Sequence, residues 1–64
     1  MVSRKLFVVT KLLYLNETAS PMRPGQTGFA YMSSDDPVEL EIDNVRYTVG
    51  RENFAGSTEW RDPA

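Results

Sequence analysis

The sequence predicts a small antiparallel all-β domain of four or five strands, and three observations support this prediction. Apolar and polar residues alternate strictly between residues 38 and 49, β-branched and aromatic residues dominate two earlier stretches, and turns containing Gly or Pro separate the stretches. A chain of 64 residues buries only about 60% of the surface that its unfolded form exposes. We therefore expect one domain with a thin core, residues 1–54, followed by a polar C-terminal tail, residues 55–64.

The alternating stretch predicts a β-hairpin whose turn is Asp43-Asn44. Both residue types tolerate the positive φ that a type I′ turn requires. With this turn, apolar residues face apolar residues and an acidic residue faces the basic one, and each good cross-strand pair contributes roughly 0.2–1 kcal/mol. The expected pairs are Ile42 with Val45, Glu41 with Arg46, Leu40 with Tyr47, Glu39 with Thr48, and Val38 with Val49.

The stretch 5–15 predicts a long first strand, because Val8-Val9-Thr10 disfavours a helix. A strand places alternate residues on opposite faces, and here both faces are mostly apolar. One face holds Leu6, Val8, Thr10, Leu12 and Tyr14, and the other holds Phe7, Val9, Lys11, Leu13 and Leu15. In so small a domain, such a strand must curl around the core, carry a bulge, or offer one face to a partner.

The remaining segments predict loops, one more strand and a tail. Residues 16–26 form a loop because Pro21, Pro24 and Gly25 oppose regular structure. Residues 27–33 form a strand, and an acidic turn follows it. Residues 50–54 form a short turn, or a single turn of 3₁₀ helix, that returns Phe54 to the core.

From Met22 to Phe54 the order of signals is a Pro-Gly turn, a second Gly, a strand, an acidic turn, a hairpin and a short turn. This order resembles the SH3-like small barrels of ribosome-, polymerase- and chaperone-associated modules. In that group a Gly-rich turn, here Gly25 and Gly28, precedes the central strands, and one helical turn, here residues 52–54, precedes the last strand. The resemblance implies a partly open SH3-like barrel, with a β-meander as the alternative. Members that bind nucleic acid usually have basic loops, whereas the corresponding turn here is Asp35-Asp36.

Composition argues against an enzyme. The chain has no Cys and no His, which removes thiolate nucleophiles and the commonest metal ligand and general base. We expect no cofactor and no metal site; Asp35, Asp36 and Glu39 could start a Ca²⁺ or Mg²⁺ site, but their spacing does not match an EF-hand loop. The missing cysteines favour the cytoplasm. No apolar stretch approaches the roughly 20 residues of a membrane span.

Charge is distributed unevenly along this acidic protein, whose net charge is -2. Arg4, Lys5 and Lys11 make the first fifteen residues purely basic, and a stretch from Asp35 to Asp43 is purely acidic. A surface with two charged regions of opposite sign can steer association with a partner.

These observations favour a non-enzymatic protein-binding module. A small free-standing protein can act as an inhibitor by occluding a surface of a larger protein, as viral proteins such as phage-encoded inhibitors of host enzymes do. The expected partner-binding residues are Trp60, Glu39, Glu41, Asp35, Asp36 and Tyr14. Trp60 is either a cap folded back on the barrel or an anchor for the partner. Because the first strand has two apolar faces, a homodimer is also expected.

The alternative function is association with RNA or DNA through the basic N-terminal strand. Arg4, Lys5 and Lys11 would contact phosphates, and Tyr14 would stack on a base.

Overall fold

Five antiparallel strands and one short helix make up the computed structural model, which describes residues 3–61. The strands are β1 (Arg4–Val9), β2 (Thr27–Tyr31), β3 (Val38–Ile42), β4 (Val45–Val49) and β5 (Thr58–Trp60), and the helix, α1, spans Arg51–Ser57. They form one sheet in the order β4-β3-β2-β1-β5, which is not closed into a barrel. The prediction of a small, partly open antiparallel β-domain is confirmed, and a helical segment precedes the last strand as the resemblance implied.

The β3–β4 hairpin has the predicted register. All five expected cross-strand pairs, from Ile42 with Val45 to Val38 with Val49, are present. Asp43 and Asn44 have φ values of 51° and 66°, which are the left-handed values of a type I′ turn. Local alternation and turn chemistry therefore suffice to define this hairpin.

The prediction of a strand from residue 5 to residue 15 is wrong beyond Val9. At Thr10 the chain bends away from β2, and the backbone N–H groups of Thr10 and Lys11 donate to the carbonyl of Ser57 at 2.8 and 3.3 Å. Leu13 then forms an isolated antiparallel bridge with Met22. The N–H of Thr10 continues the pairing of β1 with the β5 side. The N–H of Lys11 would point toward β2 in a regular strand, but it also donates to Ser57, and β1 ends before this change of partner.

Residues 10–12 at the bend are exposed, and alternate residues are buried again from Leu13 to Leu15. Phe7, Val9, Leu13 and Leu15 are buried, so the apolar face that contains them forms the core. Of the other face, Leu6 and Val8 are half-buried and Leu12 and Tyr14 are exposed. Of the two apolar faces of the predicted first strand, one therefore lies in the core and the other lies on the outer side of the domain.

Gly25 and Gly28 have different roles, contrary to their joint assignment to a turn. Gly25 has a φ of 96° and lies in the turn before β2, where its N–H donates to the carbonyl of Val9 at 2.8 Å. Gly28 lies inside β2. A glycine is required there because the ring of Phe7 and the side chain of Ile42 occupy the space that a Cβ atom would need.

The C-terminal residues complete the sheet instead of forming a tail. The short turn expected over residues 50–54 is the start of α1, which continues to Ser57. Residues 58–60, expected to be tail, form β5 and pair with residues 7–9 of β1. This segment is ordered by its contacts with β1 and Phe54; the last three tail residues, 62–64, lie outside the described part of the chain.

The core consists of side chains from the inner face of the sheet, from the β1–β2 connection and from α1. Its largest fully buried side chains are Phe7, Leu13, Leu40, Val9 and Val49. The ring of Phe54, the buried residue of α1, meets the ring of Phe7 edge-on, with 5.1 Å between centroids. Within residues 3–61 no helix has the length and apolar character that crossing a membrane requires.

Candidate protein-binding groove

A groove of about 450 Å³ opens between the β2–β3 connection on one side and α1 with β5 on the other. We call it the Trp60 groove. Its apolar lining consists of Ala30, Met32, Val38, Phe54, Ala55 and Trp60. Its lining residues come from the end of β2, the β2–β3 connection, the start of β3, α1 and β5.

Two large apolar side chains of the groove are half exposed. Met32 follows β2 and has 48% of its surface exposed, and Trp60 in β5 has 46% exposed. A contiguous exposed apolar surface of this kind marks an interaction site more often than isolated exposed residues do.

One face of the helix α1 forms a wall of the Trp60 groove. Arg51, Phe54 and Ala55 are three or four residues apart, so they share one helix face. Phe54 points into the core, and its ring lies 5.6 Å from the ring of Trp60, centroid to centroid. The indole is therefore a cap on the core at its inner side and is open to a partner at its outer side.

Charged groups stand at the two ends of the groove. At one end Nη1 of Arg51 lies 2.9 Å from Oδ1 of Asp35. At the other end Nζ of Lys5 lies 5.0 Å from the centroid of the Trp60 ring, a cation–π contact. The ion pair is exposed, so it contributes little to stability, but it gives the groove a polar rim.

The groove offers mainly apolar contact area, and its charged lining residues are Asp35 and Arg51. No polar or charged residue among residues 3–61 is buried, and a catalytic carboxylate would need desolvation to shift its pKa toward neutrality. No group of three or more Asp or Glu side chains in the described part of the chain comes together as metal ligands would. Asp35 and Glu39 bond to different arginines instead.

Glu39 and Glu41 lie on the opposite face of the sheet. They alternate with Val38 and Leu40, which point to the core. Glu41 accepts hydrogen bonds from Arg4 and, at 2.9 Å, from the hydroxyl of Tyr31. The Tyr31 hydrogen bond, followed by the one from Arg4, lowers the pKa of Glu41 below its ordinary value.

Glu39 is also partnered on this outer face. Nη1 of Arg46 lies 3.3 Å from Oε1 of Glu39, and the guanidinium of Arg46 lies 4.3 Å from the ring centroid of Tyr31. The acidic outer face is thus a network of paired charges, and the structure does not bring it together with Trp60.

The other two predicted partner-binding residues, Asp36 and Tyr14, do not line the groove. Asp36 stands beside the start of α1, where its Oδ1 accepts a long hydrogen bond of 3.4 Å from the backbone N–H of Arg51. Tyr14 is exposed in the connection between β1 and β2. Of the predicted partner-binding residues, Trp60 and Asp35 line the groove.

The predicted nucleic-acid-binding residues are separated. Arg4 and Lys5 are neighbours in β1 and therefore point to opposite faces: Arg4 lies over Phe29 on the outer face and Lys5 lies over Trp60. Lys11 is exposed at the bend after β1.

Sequence reasoning missed Met32, Arg51 and Ala55 as groove residues, and it missed the contact between Lys5 and Trp60. No local pattern relates residues of β1 to residues of β5, because three residues are too few to show a strand period.

Comparisons with known proteins add no relationship: no protein-family model, curated protein or solved structure matches the chain significantly.

Proposed function

We propose that this protein is a non-enzymatic protein-binding module whose contact surface is the Trp60 groove. The observation that carries the proposal is the pair of half-exposed side chains, Met32 and Trp60, that line one apolar groove. Trp is among the residues that most often dominate binding energy in protein interfaces.

The position of the indole ring supports this role. Phe54 holds one side of the ring and Lys5 lies over it, so the ring is already held in place before a partner arrives. A side chain that is ordered in the free protein loses less conformational entropy on binding. Trp60 and Asp35 are therefore the first contact residues in this proposal, while Glu39 and Glu41 keep the outer face ordered through their arginine partners.

The proposed mode of action is occlusion of a functional surface on a larger protein in the cytoplasm. It rests on the small size of the chain, on the lack of cysteines and on analogy with phage-encoded inhibitors.

A second candidate function, nucleic-acid binding, draws on the outer face. Phe29 and Tyr31 lie there under the guanidinium groups of Arg4 and Arg46, and aromatic and basic side chains together can bind single strands. Both arginines are already paired with carboxylates, which makes this candidate weaker. Binding to single-stranded DNA or RNA that falls steeply with added salt would favour it.

The test of the protein-binding proposal compares two variants that add the same side chain at neighbouring exposed positions of α1. Ala55→Arg places a long cationic side chain in the groove, and Gly56→Arg places it outside the lining residues. Tagged wild-type protein and both variants, shown to be folded by circular dichroism, are used to capture proteins from a lysate. Each captured protein is then purified and titrated against the three chains.

We expect wild type and Gly56→Arg to bind the purified partner equally and Ala55→Arg to lose binding. Equal binding by all three chains would place the contact elsewhere. A Glu39→Lys variant examines the outer face in the same assay, and sedimentation of the wild type alone measures the homodimer expected from the two apolar faces of the first strand.

A further inference from the structure

The outer edge of β5 borders the Trp60 groove. In an antiparallel pair, backbone groups of alternate residues point toward the neighbouring strand and away from it. The N–H of Arg61 donates to the carbonyl of Leu6 in β1 at 2.9 Å, so the N–H and C=O of Trp60 point away from β1. Within residues 3–61 no hydrogen bond uses these two groups, and β5 is the last strand of the sheet.

The opposite edge of the sheet is already occupied. On β4 the outward-pointing N–H of Thr48 donates to Oε1 of Glu17 at 2.7 Å, and the carbonyl of Thr48 accepts from the N–H of Asn16 at 2.9 Å. An added strand therefore finds a better place at β5 than at β4, because unpaired edge groups are the template for strand addition.

The charged residues around the groove favour a negatively charged ligand. Asp35 and Arg51 neutralise each other at one end. At the other end Lys5 lies over Trp60, and no carboxylate of residues 3–61 forms an ion pair with it. The groove and its ends thus carry one uncompensated positive charge, next to the indole ring.

We propose that the Trp60 groove binds an extended acidic peptide segment of another protein, which adds to β5 as a sixth strand. One apolar side chain of the segment packs against the exposed side of the Trp60 ring, and an Asp or Glu two residues away on the same face meets Lys5. This spacing follows from the two-residue period of a strand, about 6.6–6.8 Å. The inference rests on the proposed function and adds the class of ligand and its mode of binding.

The apolar lining and the single uncompensated cation, Lys5, favour a peptide over a nucleic acid strand, whose phosphates need several cations. The alternative ligand of the groove is a second copy of this chain. In that case the wild type would form a dimer, and Ala55→Arg would be a monomer.

The first experiment pans a library of random linear dodecapeptides on phage against the folded full chain, after depletion on the empty support, and titrates the selected peptides against wild type and Ala55→Arg. We expect enriched peptides that carry an apolar residue and an Asp or Glu two positions apart. Peptides selected on Lys5→Glu should carry Lys or Arg in place of the Asp or Glu. Peptides selected on Lys5→Gln should show no charge preference at that position. The selected acidic peptides should bind Lys5→Glu about three- to tenfold more weakly than wild type.

The second experiment tests strand addition with a synthetic selected peptide. N-methylation of the amide that faces Trp60 should abolish binding, whereas N-methylation of the next amide should preserve it, because alternate amides point to opposite sides of a strand. The amide and indole signals of Trp60 should shift on titration in an NMR spectrum.

The outcomes separate the two proposals. Enriched peptides without an acidic preference, or equal tolerance of both N-methyl positions, overturn the inference while groove binding stands. Selected peptides that bind Ala55→Arg as well as wild type overturn the proposed function also. Failure to enrich any peptide, or a dimer that Ala55→Arg dissociates, overturns the acidic-peptide inference.

Discussion

The carboxylate of Glu17 accepts two hydrogen bonds from Thr48, one from the backbone N–H at 2.7 Å and one from the hydroxyl at 2.6 Å. Asn16 adds two more contacts to the same residue, through its backbone N–H at 2.9 Å and its side-chain amide at 3.0 Å. The long β1–β2 connection is thereby fastened to the outer edge of β4.

This relationship predicts a pKa for Glu17 below its ordinary value, first because of the Thr48 hydroxyl and then because of the Thr48 backbone N–H. A carboxyl whose pKa is lower in the folded state adds stability above its unfolded pKa, and this stability is lost as the pH falls through the folded pKa. In Thr48→Val the pKa of Glu17 should rise toward its ordinary value. Carbon-detected NMR titration of the side-chain carboxyl measures the change.

The carboxyl of Glu41 is the internal control for that titration. Its pKa is also lowered, but by Tyr31 and Arg4, so Thr48→Val should leave it unchanged. A Glu17 pKa that does not move in Thr48→Val would show that the Thr48 hydroxyl does not stabilise the carboxylate.

A second prediction concerns hydrogen exchange along β4. The N–H groups of Arg46 and Thr48 both point away from β3, but only that of Thr48 is bonded to Glu17. In wild type the Thr48 amide should exchange more slowly than the Arg46 amide. In Glu17→Ala the two rates, corrected for intrinsic sequence effects, should become similar; persistent protection of Thr48 would argue against the loop as the protecting group.

Two glycines should respond to alanine in opposite directions. A Cβ atom at Gly28 would lie 3.0 Å from Cζ of Phe7 and 3.0 Å from Cγ1 of Ile42, so Gly28→Ala should lower the free energy of unfolding by about 1–3 kcal/mol. A Cβ atom at Gly56 meets nothing within 4 Å. Because Gly disfavours a helix interior, Gly56→Ala should raise stability by about 0.5–1 kcal/mol.

Urea unfolding followed by circular dichroism compares both variants with wild type. Equal effects of the same sign would contradict the different environments of the two glycines.

A fourth prediction tests whether the last strand belongs to the domain. A chain that ends after Phe54 lacks the second half of α1 and all of β5, so it should lose cooperative unfolding. Trp60→Ala keeps β5 and removes the ring contact with Phe54, so it should unfold cooperatively with a stability lower by about 0.5–1.5 kcal/mol. An unchanged urea midpoint in the truncated chain would show that residues 55–64 are a tail.

The β3–β4 hairpin was predictable down to its register because its signals are local. Two turn residues and the alternation on either side contain the information that fixes each pair. The end of β1 was not predictable in this way. After the bend at Thr10, the N–H of Lys11 donates to the carbonyl of Ser57, which is distant in sequence and belongs to a helix that the local pattern presented as a short turn.

The candidate site was predictable only in part for a related reason. Trp60 was recognisable because a large ring in a polar segment has no evident place in a core pattern. Its neighbours Lys5, Met32 and Phe54 come from three other parts of the chain, and only the strand order brings them together. The register of Glu39 and Glu41 with Thr48 and Arg46 was correctly predicted. The side chain of Arg46 nevertheless bonds Glu39, and the arginine that bonds Glu41 is Arg4 of β1.

The hydrogen bonds of Asn16 and Glu17 to Thr48 affect how many partner strands one chain can bind. A head-to-tail fibre requires two different complementary surfaces on each copy, such as two open sheet edges. Here one edge is held by the chain itself and the other is open at Trp60. Strand addition to this protein should therefore stop at one partner per chain, so that binding at β5 ends in a discrete complex and does not propagate.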